Sequence, residues 1–264
     1  MKINPEDSFN PDRFDELVIG IAADMGVHDS GMHSHQRHQL LFSASGSITI
    51  ELDNTLCLLP PRRAAWIPSG TLHRAIMNGA MAYRSLYFSG ALPLSDLPLQ
   101  IVEVNPLFFE VIERMAFWQW GMTEEQQRSL ITVFCEEIKN AQTENWTVRF
   151  PSDSRLSAWL DRVRRGELPP RLGQLAQKVG ACERTISRIF IRDTGMSYQS
   201  WRQQWRLMKA MEMLCDGWPL SQVAQHLDFV SDSAFIVFFR HYTGTTPTRY
   251  LRHSGTENQA LSSV

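Results

Sequence analysis

One pattern occurs twice in this sequence: LGQLAQKVGACERTISRIF at residues 172–190 and LSQVAQHLDFVSDSAFIVFF at residues 220–239. In each copy a short predicted helix with a central alanine, Ala176 or Ala224, is followed by a turn and a second helix that is apolar on one face. A small residue at that position lets two helix axes approach closely. This is the arrangement of helix-turn-helix units, whose second helix enters a DNA major groove. The sequence therefore predicts two such units, at about 172–193 and 220–242.

A longer helix is predicted to join the two units. Ser197 can cap its start and Gly217 can end it. The segment between them has about 20 residues and would be about 30 Å long, close to the roughly 34 Å of one turn of B-DNA. Its apolar stripe comprises Trp201, Trp205, Met208, Met211 and Cys215. We expect this stripe to pack in the core, so that the helix holds both units against successive major grooves of one duplex.

The charge of the chain is divided unequally between its halves. The formal net charge of all 264 residues is −2, but residues 1–150 hold 11 Lys and Arg against 18 Asp and Glu, whereas residues 151–264 hold 15 against 10. Of those 15 cations, 13 are Arg. This asymmetry predicts two domains with different partners, one of them a phosphate backbone.

Several classes of protein are excluded by what the sequence lacks. It has no run of 18 apolar residues that would predict a membrane span, and its polar, acidic N-terminus is unlike a signal peptide. The four cysteines form no Cys-x-x-Cys pair, which argues against a disulfide framework or a cysteine-rich zinc site. No Walker A, Rossmann or Gly-x-Ser-x-Gly motif is present. We therefore expect a cytoplasmic protein without membrane partners.

The N-terminal half is predicted to be β-rich. Residues 17–90 contain short apolar or alternating runs separated by Gly, Pro and Asn-Asp signals, which indicate a sandwich or barrel. After Pro106, apolar residues recur at helical spacing in two segments, the second opened by Thr123. We expect a helical hairpin at 105–140 whose apolar face packs on the barrel or on a second subunit. The polar residues 140–153 are predicted to be a linker.

A larger set of residues surrounds the two helix-turn-helix units in a fixed order. It comprises Leu175-Ala176, Arg184-Thr185-Ile186-Ser187-Arg188-Ile189-Phe190, Thr194-Gly195-Met196-Ser197, Trp201-Arg202-Gln203-Gln204, Val223-Ala224, Ser233-Ala234-Phe235-Ile236, Phe239-Arg240 and the closing residues 244–251. With this set, residues 155–252 resemble the DNA-binding domain of the AraC/XylS-type transcription regulators. The sequence departs from the family at Asp228, where glycine is usual; aspartate tolerates the left-handed conformation better than most residues.

The resemblance implies sequence-specific DNA binding by both second helices. In the first unit it points to Glu183, Arg184, Thr185, Ser187 and Arg188. Arg184 or Arg188 could pair bidentately with guanine O6 and N7. In the second unit it points to Ser231, Asp232, Ser233 and Ala234, with Asp232 equally suited to stabilise the helix dipole. Phosphate contacts are expected from Arg192, Arg202, Arg240 and Arg249.

Five of the eight histidines lie between residues 28 and 73, namely His28, His33, His35, His38 and His73. His33-Ser34-His35 places two imidazoles on one face of a strand, because side chains alternate. Gln39 follows, and the segment Pro68-Ser69-Gly70-Thr71-Leu72-His73 comes later. Residues 20–90 resemble the two sequence motifs of the cupin barrel, in which His-x-His, a Glu and a later His converge on one metal. Gln39 stands where the family has Glu.

Three interpretations of this histidine cluster remain open. His33, His35, His73 and the Gln39 amide oxygen could hold a divalent transition metal, although more weakly than a set that includes a carboxylate. A neutral, histidine-rich pocket could instead receive an acidic small molecule without a metal. The histidines could also merely form hydrogen bonds inside the barrel.

These observations predict an α+β protein with four regions. They are a cupin-like effector- or metal-sensing domain at 1–104, a helical hairpin and linker at 105–152, an AraC-type DNA-binding domain at 153–252 and a flexible tail at 253–264. The resemblance implies a transcription factor, not an enzyme, that regulates promoters in response to a small effector or metal. The alternative is a metal-dependent cupin enzyme fused to a DNA-binding domain. The expected partners are double-stranded promoter DNA, a small effector, a second copy of the chain and, for an activator, RNA polymerase.

Overall fold

The computed structural model describes residue 2 and residues 9–79 and 81–253. Within that part, the chain forms two compact units, one built from residues 9–50 and 59–146 and the other from residues 51–58 and 147–250. The predicted tail at 253–264 lies outside the described residues, apart from residue 253, which ends the last helix. Nowhere in these described ranges does a helix combine the length and apolarity that a membrane crossing requires.

Antiparallel strands dominate the N-terminal half. The strands are β1 (Val18–Met25), β2 (His28–Asp29), β3 (His38–Ser43), β4 (Ile48–Leu52), β5 (Thr55–Leu59), β6 (Arg63–Ile67), β7 (Arg74–Met77), β8 (Met81–Phe88), β9 (Gln100–Glu103), β10 (Thr143–Glu144) and β11 (Thr147–Arg149). Six of them form one sheet in the order β1-β8-β3-β6-β9-β10. The register pairs Gly20 with Leu86 and Leu40 with both Leu86 and Trp66. Strand β2 pairs with β7 apart from this sheet.

A helical hairpin packs on the six-stranded sheet, as one of the two alternatives predicted. Helix α1 (Pro106–Ala116) is capped by Asn105, and α2 (Glu124–Asn140) begins with a capping box between Thr123 and Gln126. The buried faces of both helices join the apolar side of the sheet in one core. That core includes Leu40, Phe42, Trp66, Leu86 and Phe88 from the strands and Phe108, Ile112, Met115 and Phe134 from the helices.

The prediction of a plain linker at 140–153 is wrong. This segment contains β10, which pairs with β9, and β11, which pairs with β5. Trp146, Val148 and Phe150 are all buried. Their spacing of two residues is that of a strand with one face in a core, and the polar residues between them obscured this period in the sequence.

From Ser157 onward the second unit is helical, as predicted. Its helices are α3 (Ser157–Arg164), α4 (Leu172–Val179), α5 (Glu183–Thr194), α6 (Tyr198–Cys215), α7 (Leu220–His226), α8 (Asp232–Thr243) and α9 (Pro247–His253). The α4–α5 and α7–α8 pairs coincide with the two predicted helix-turn-helix units. Ser197 caps α6 through a hydrogen bond from the Ser200 amide, and Gly217 follows its end with a φ of 81°. The predicted stripe of α6 is buried at Trp201, Trp205, Met208 and Met211.

Gly20 marks the closest approach between α1 and the sheet. A Cβ atom at this position would lie 1.9 Å from the Met115 carbonyl oxygen, which is backbone and cannot turn aside. We expect Gly20→Ala to lower the thermal midpoint by about 5 °C or more, because the helix must move off the sheet. Gly90→Ala, whose Cβ would meet nothing within 4 Å, is the matched control. Circular dichroism melts of both variants test this, and equal midpoints would contradict the close packing.

Candidate functional site

Three histidines of the N-terminal unit converge, as the cupin-like motifs predict. His33 and His73 lie opposite each other in a β-bridge, each amide donating to the other's carbonyl oxygen at 2.9 Å. His35 lies two residues beyond His33, just before β3. One ring nitrogen from each of the three side chains falls within 4.8 Å of the other two. In a tetrahedral site with metal–nitrogen distances of 2.0–2.1 Å, these atoms would be about 3.3 Å apart, so small side-chain movements would close the set on an ion.

Backbone carbonyl groups determine which nitrogen of each ring carries the proton. The Nδ1 atom lies 3.0 Å from the Gly31 oxygen in His33, 2.6 Å from the Arg37 oxygen in His35 and 2.9 Å from the Thr71 oxygen in His73. A carbonyl oxygen only accepts, so Nδ1–H is the donor in each case. The three Nε2 atoms are then left with free lone pairs. Metal-ligating histidines are held in the same way, by a hydrogen bond from the other ring nitrogen.

Gln39 presents its amide to the same cluster. Its Nε2 atom donates to Ser85 Oγ at 2.8 Å and to the Tyr87 hydroxyl at 3.2 Å, which leaves Oε1 3.3 Å from Nε2 of His35. Two acceptors therefore face each other. A cation between them relieves this repulsion, as does a rotation of the amide that exchanges its oxygen and nitrogen.

The imidazoles at the centre of the cluster are neutral at pH 7. Burial lowers the pKa of His73 to about 4 and also lowers the pKa of His35. An ion therefore need not displace protons from these two rings. His38 lies apart from the cluster, where it stacks on Trp66 and accepts a hydrogen bond from the Ser69 amide.

A cavity of about 390 Å³ opens beside the cluster. Its lining comprises Phe9, Ile21, Ala23, Met25, His28, Asp29, Ser30, His33, Gln39, His73, Ala75, Met77, Tyr83 and Tyr87. Neither Lys nor Arg is among the described residues that line it. Asp29 is held by Arg74, with nitrogen–oxygen distances of 2.8 and 2.5 Å. The cavity therefore offers imidazole nitrogens on one side, and elsewhere a mixture of apolar side chains with the polar groups of His28, Asp29, Ser30, Tyr83 and Tyr87.

Helix α5 separates the residues predicted to read DNA from those that pack. Its buried face carries Ile186, Ile189 and Phe190. The side chains predicted to contact bases lie outside this face: Glu183, Arg184 and Arg188 are exposed, and Thr185 and Ser187 are half-buried. Arg192 is exposed too, but it pairs with Asp193 and Asp153. Contact between these side chains and DNA stays a prediction.

Helix α8 presents a face with little positive charge at its start. Ser231 is the N-cap and accepts from the Ala234 amide, Asp232 and Ser233 are exposed, and Ala234 is half-buried. Two exposed apolar residues of this region were not singled out from the sequence: Val230, 95% exposed, and Val237, 69% exposed. Val237 lies four residues after Ser233 on the helix, so its spacing could have identified it. Arg240 is exposed near the end of the helix.

Arg202 was predicted to contact phosphate, but the position of its side chain contradicts this prediction. Arg202 is only 5% exposed and donates from Nε to the Pro169 carbonyl oxygen at 2.6 Å. Its guanidinium also lies 3.6 Å from the Asp228 carboxylate. The side chain is therefore part of the packing of the second unit and is not a surface charge.

Sequence reasoning missed a second buried arginine, Arg206. It donates from Nε and a terminal nitrogen to the Leu227 carbonyl oxygen at 2.9 and 2.6 Å, and to the Asp228 carbonyl oxygen at 3.2 Å. Its guanidinium lies 3.7 Å from the centre of the Phe229 ring. Asp228 has a φ of 59°, which confirms that aspartate adopts the left-handed conformation there. Arg206 thus holds the turn of the second helix-turn-helix unit.

The lowered pKa of His73 predicts a pH-dependent stability. In the unfolded chain this histidine takes up a proton near pH 6.5, whereas in the folded, metal-free protein it does so only near pH 4. The folded state should therefore lose stability as the pH falls from about 6.5 to about 4, by about 2 kcal/mol at pH 5. His73→Gln, neutral at every pH, should reduce this slope. Urea unfolding in the presence of a chelator measures the free energy of unfolding of the wild-type chain and of His73→Gln at each pH. The same pH dependence in the two proteins would contradict the assignment.

Comparison with known proteins adds an independent line of evidence. A family model described as a helix-turn-helix domain matches residues 175–253, and one described as an AraC-like ligand binding domain matches residues 17–128. The HTH-type transcriptional regulator NimR of Escherichia coli is 28% identical over 247 residues, which cover 92% of this chain and 90% of that protein. The regulator RipA of Corynebacterium glutamicum is 33% identical over 79 residues, 30% of this chain and 24% of that protein.

Among solved structures, ToxT from Vibrio cholerae aligns over 90% of this chain and 98% of its own, with 11% identity and a TM-score of 0.36. The two family matches fall on the two units separately, and the match to NimR runs through both. The chain therefore combines an AraC-like ligand-binding domain in its N-terminal half with a helix-turn-helix domain in its C-terminal half, which is the organisation of an AraC-type transcription regulator.

Proposed function

We propose that this regulator senses its effector through a divalent transition metal held by His33, His35, His73 and the Gln39 amide oxygen. The observation that carries the proposal is that one ring nitrogen from each of the three histidines lies within 4.8 Å of the other two, while a backbone carbonyl group holds each Nδ1. Histidines that only fill a core have no need of this shared orientation. A bound ion would supply a positive charge and open coordination positions at the edge of the cavity.

The DNA-binding half works through α5 and α8 in successive major grooves of one promoter duplex. In α5, Arg184 and Arg188 are exposed guanidinium groups suited to guanine. Glu183, Thr185 and Ser187 accompany them, and Ser231, Asp232, Ser233 and Ala234 take the same role at the start of α8. Arg192, Arg240 and Arg249 bind phosphate and position the domain. The net charge of +5 over residues 151–264 favours this side of the protein for DNA.

Regulation follows if the effector binds more tightly to one arrangement of the two units than to another. An effector without that preference does not change the populations of the two arrangements. The chain then acts in the cytoplasm, where promoters are, as a regulator and not as an enzyme. A second copy of the chain, held through the helical hairpin, and RNA polymerase, if promoters are activated, are its further partners.

Replacing Arg188 tests the assignment of base reading. We expect Arg188→Ala to weaken binding to a site selected from random DNA by about 10- to 100-fold, the worth of one bidentate guanine contact. Binding to unrelated DNA should change far less. The matched control is Arg128→Ala, which removes the same charge from the exposed surface of α2. Fluorescence anisotropy at several salt concentrations measures both, and a parallel loss on specific and unrelated DNA would assign Arg188 to phosphate.

Cobalt(II) titration tests the metal site. The full chain should bind one equivalent with the visible absorption of a low-coordinate ion, and His35→Ala should abolish this. Gln39→Glu should tighten binding by about tenfold, because a carboxylate adds charge to a neutral ligand set. His28→Ala is the control, since His28 lines the cavity outside the cluster. The proposal fails if the wild-type chain binds no cobalt at stoichiometric concentration, or if His28→Ala loses as much affinity as His35→Ala.

A further inference from the structure

The walls of the cavity beside the histidine cluster indicate the kind of molecule that enters it. Phe9 and Tyr87 lie with their ring centres 5.4 Å apart on one side. Ile21, Ala23 and Met77 contribute aliphatic surface. At about 390 Å³, the cavity is at the lower end of the range for small-molecule sites. These side chains and the tyrosine rings give the cavity an apolar stretch that would bury the hydrocarbon body of a compact molecule.

Charge complementarity argues against a strongly ionic ligand. The described lining residues include no Lys or Arg that could pair with a carboxylate or phosphate. The one carboxylate among them, Asp29, already accepts two hydrogen bonds from Arg74 and one from the Gly31 amide. An ionic group placed anywhere but on the proposed metal ion would therefore lose its hydration without gaining a partner of opposite charge.

The polar edge of the cavity is the histidine cluster itself. His33, His73 and Gln39 belong both to the cluster and to the cavity lining. The amide of Gln39 is a weak, neutral ligand, so a stronger donor arriving from the cavity can replace it or occupy a further coordination position. The attachment point for a ligand thus lies at the wall where a bound ion would be.

We propose that the effector is a small molecule with an uncharged, apolar body and one metal-binding group, which ligates the ion held by His33, His35 and His73. This inference rests on the metal site proposed above. The apolar body fills the space between the aromatic and aliphatic walls, and the donor atoms reach the ion through the side of the cluster that opens into the cavity. Selectivity then comes from two requirements together, shape and a coordinating group.

The test uses the full chain loaded with cobalt(II) and three probes with the same phenyl body. Benzohydroxamic acid is uncharged in solution and chelates metals, releasing a proton on binding. Benzamide lacks the second oxygen donor, and benzoate is an anion. We expect benzohydroxamic acid to shift the cobalt absorption at a stoichiometry of one and to bind at least tenfold more tightly than the other two.

A variant with a filled cavity shows whether benzohydroxamic acid binds inside the cavity or only coordinates the ion from solvent. Ala23→Leu should retain cobalt and lose affinity for benzohydroxamic acid by at least tenfold; Ala75→Leu, on the opposite strand pair, serves if Ala23→Leu does not fold. Unchanged affinity in a cobalt-loaded, filled variant would overturn the inference. Benzamide binding as tightly as benzohydroxamic acid without a spectral change would overturn it as well. If cobalt does not bind at all, the absorption is absent before any probe is added, and the metal proposal itself has failed.

Discussion

The DNA-binding half depends on the burial of α6, to which both helix-turn-helix units attach. On one side, Tyr198 and Trp201 pack edge-to-face against Phe190 of α5, with ring centres 4.9 and 5.0 Å apart. On the other side, Arg206 donates to the carbonyl groups that close α7. A helix with apolar contacts at one end and buried, charge-assisted hydrogen bonds at the other has little freedom to rotate. The relative placement of α5 and α8 follows from this one element.

The sensing half depends on a different constraint, which is the hydrogen bonding of three peptide carbonyl groups to imidazole Nδ1 atoms. These bonds orient the rings before any ligand arrives, so little conformational entropy remains to be lost on binding. The β-bridge between His33 and His73 makes the arrangement rigid, because the two rings belong to residues whose backbones are paired. Burial of the rings explains why His35 and His73 are neutral at pH 7.

Much of this architecture could be predicted from the sequence, because it follows from period and spacing. The helical repeat of α6 with its Ser197 cap, the doubled helix-turn-helix pattern and the convergence of His33, His35 and His73 are all of that kind. The strands in the supposed linker were missed because Trp146, Val148 and Phe150 alternate with polar residues over too short a run. Arg202 was misjudged because a sequence does not reveal which guanidinium groups will find buried carbonyl oxygens. The same ambiguity concealed Arg206, although the aspartate at position 228 marked the turn that it holds.

In the proposed complex, one rigid helix, α6, presents two groove-reading elements, α5 and α8, to the same face of a duplex. Hydroxyl-radical footprinting of the full chain on a selected site tests it most directly. Our account predicts pairs of protected segments on one face, with centres about 10 base pairs apart, one turn of B-DNA. A single protected segment, or two segments on opposite faces of the duplex, would contradict it.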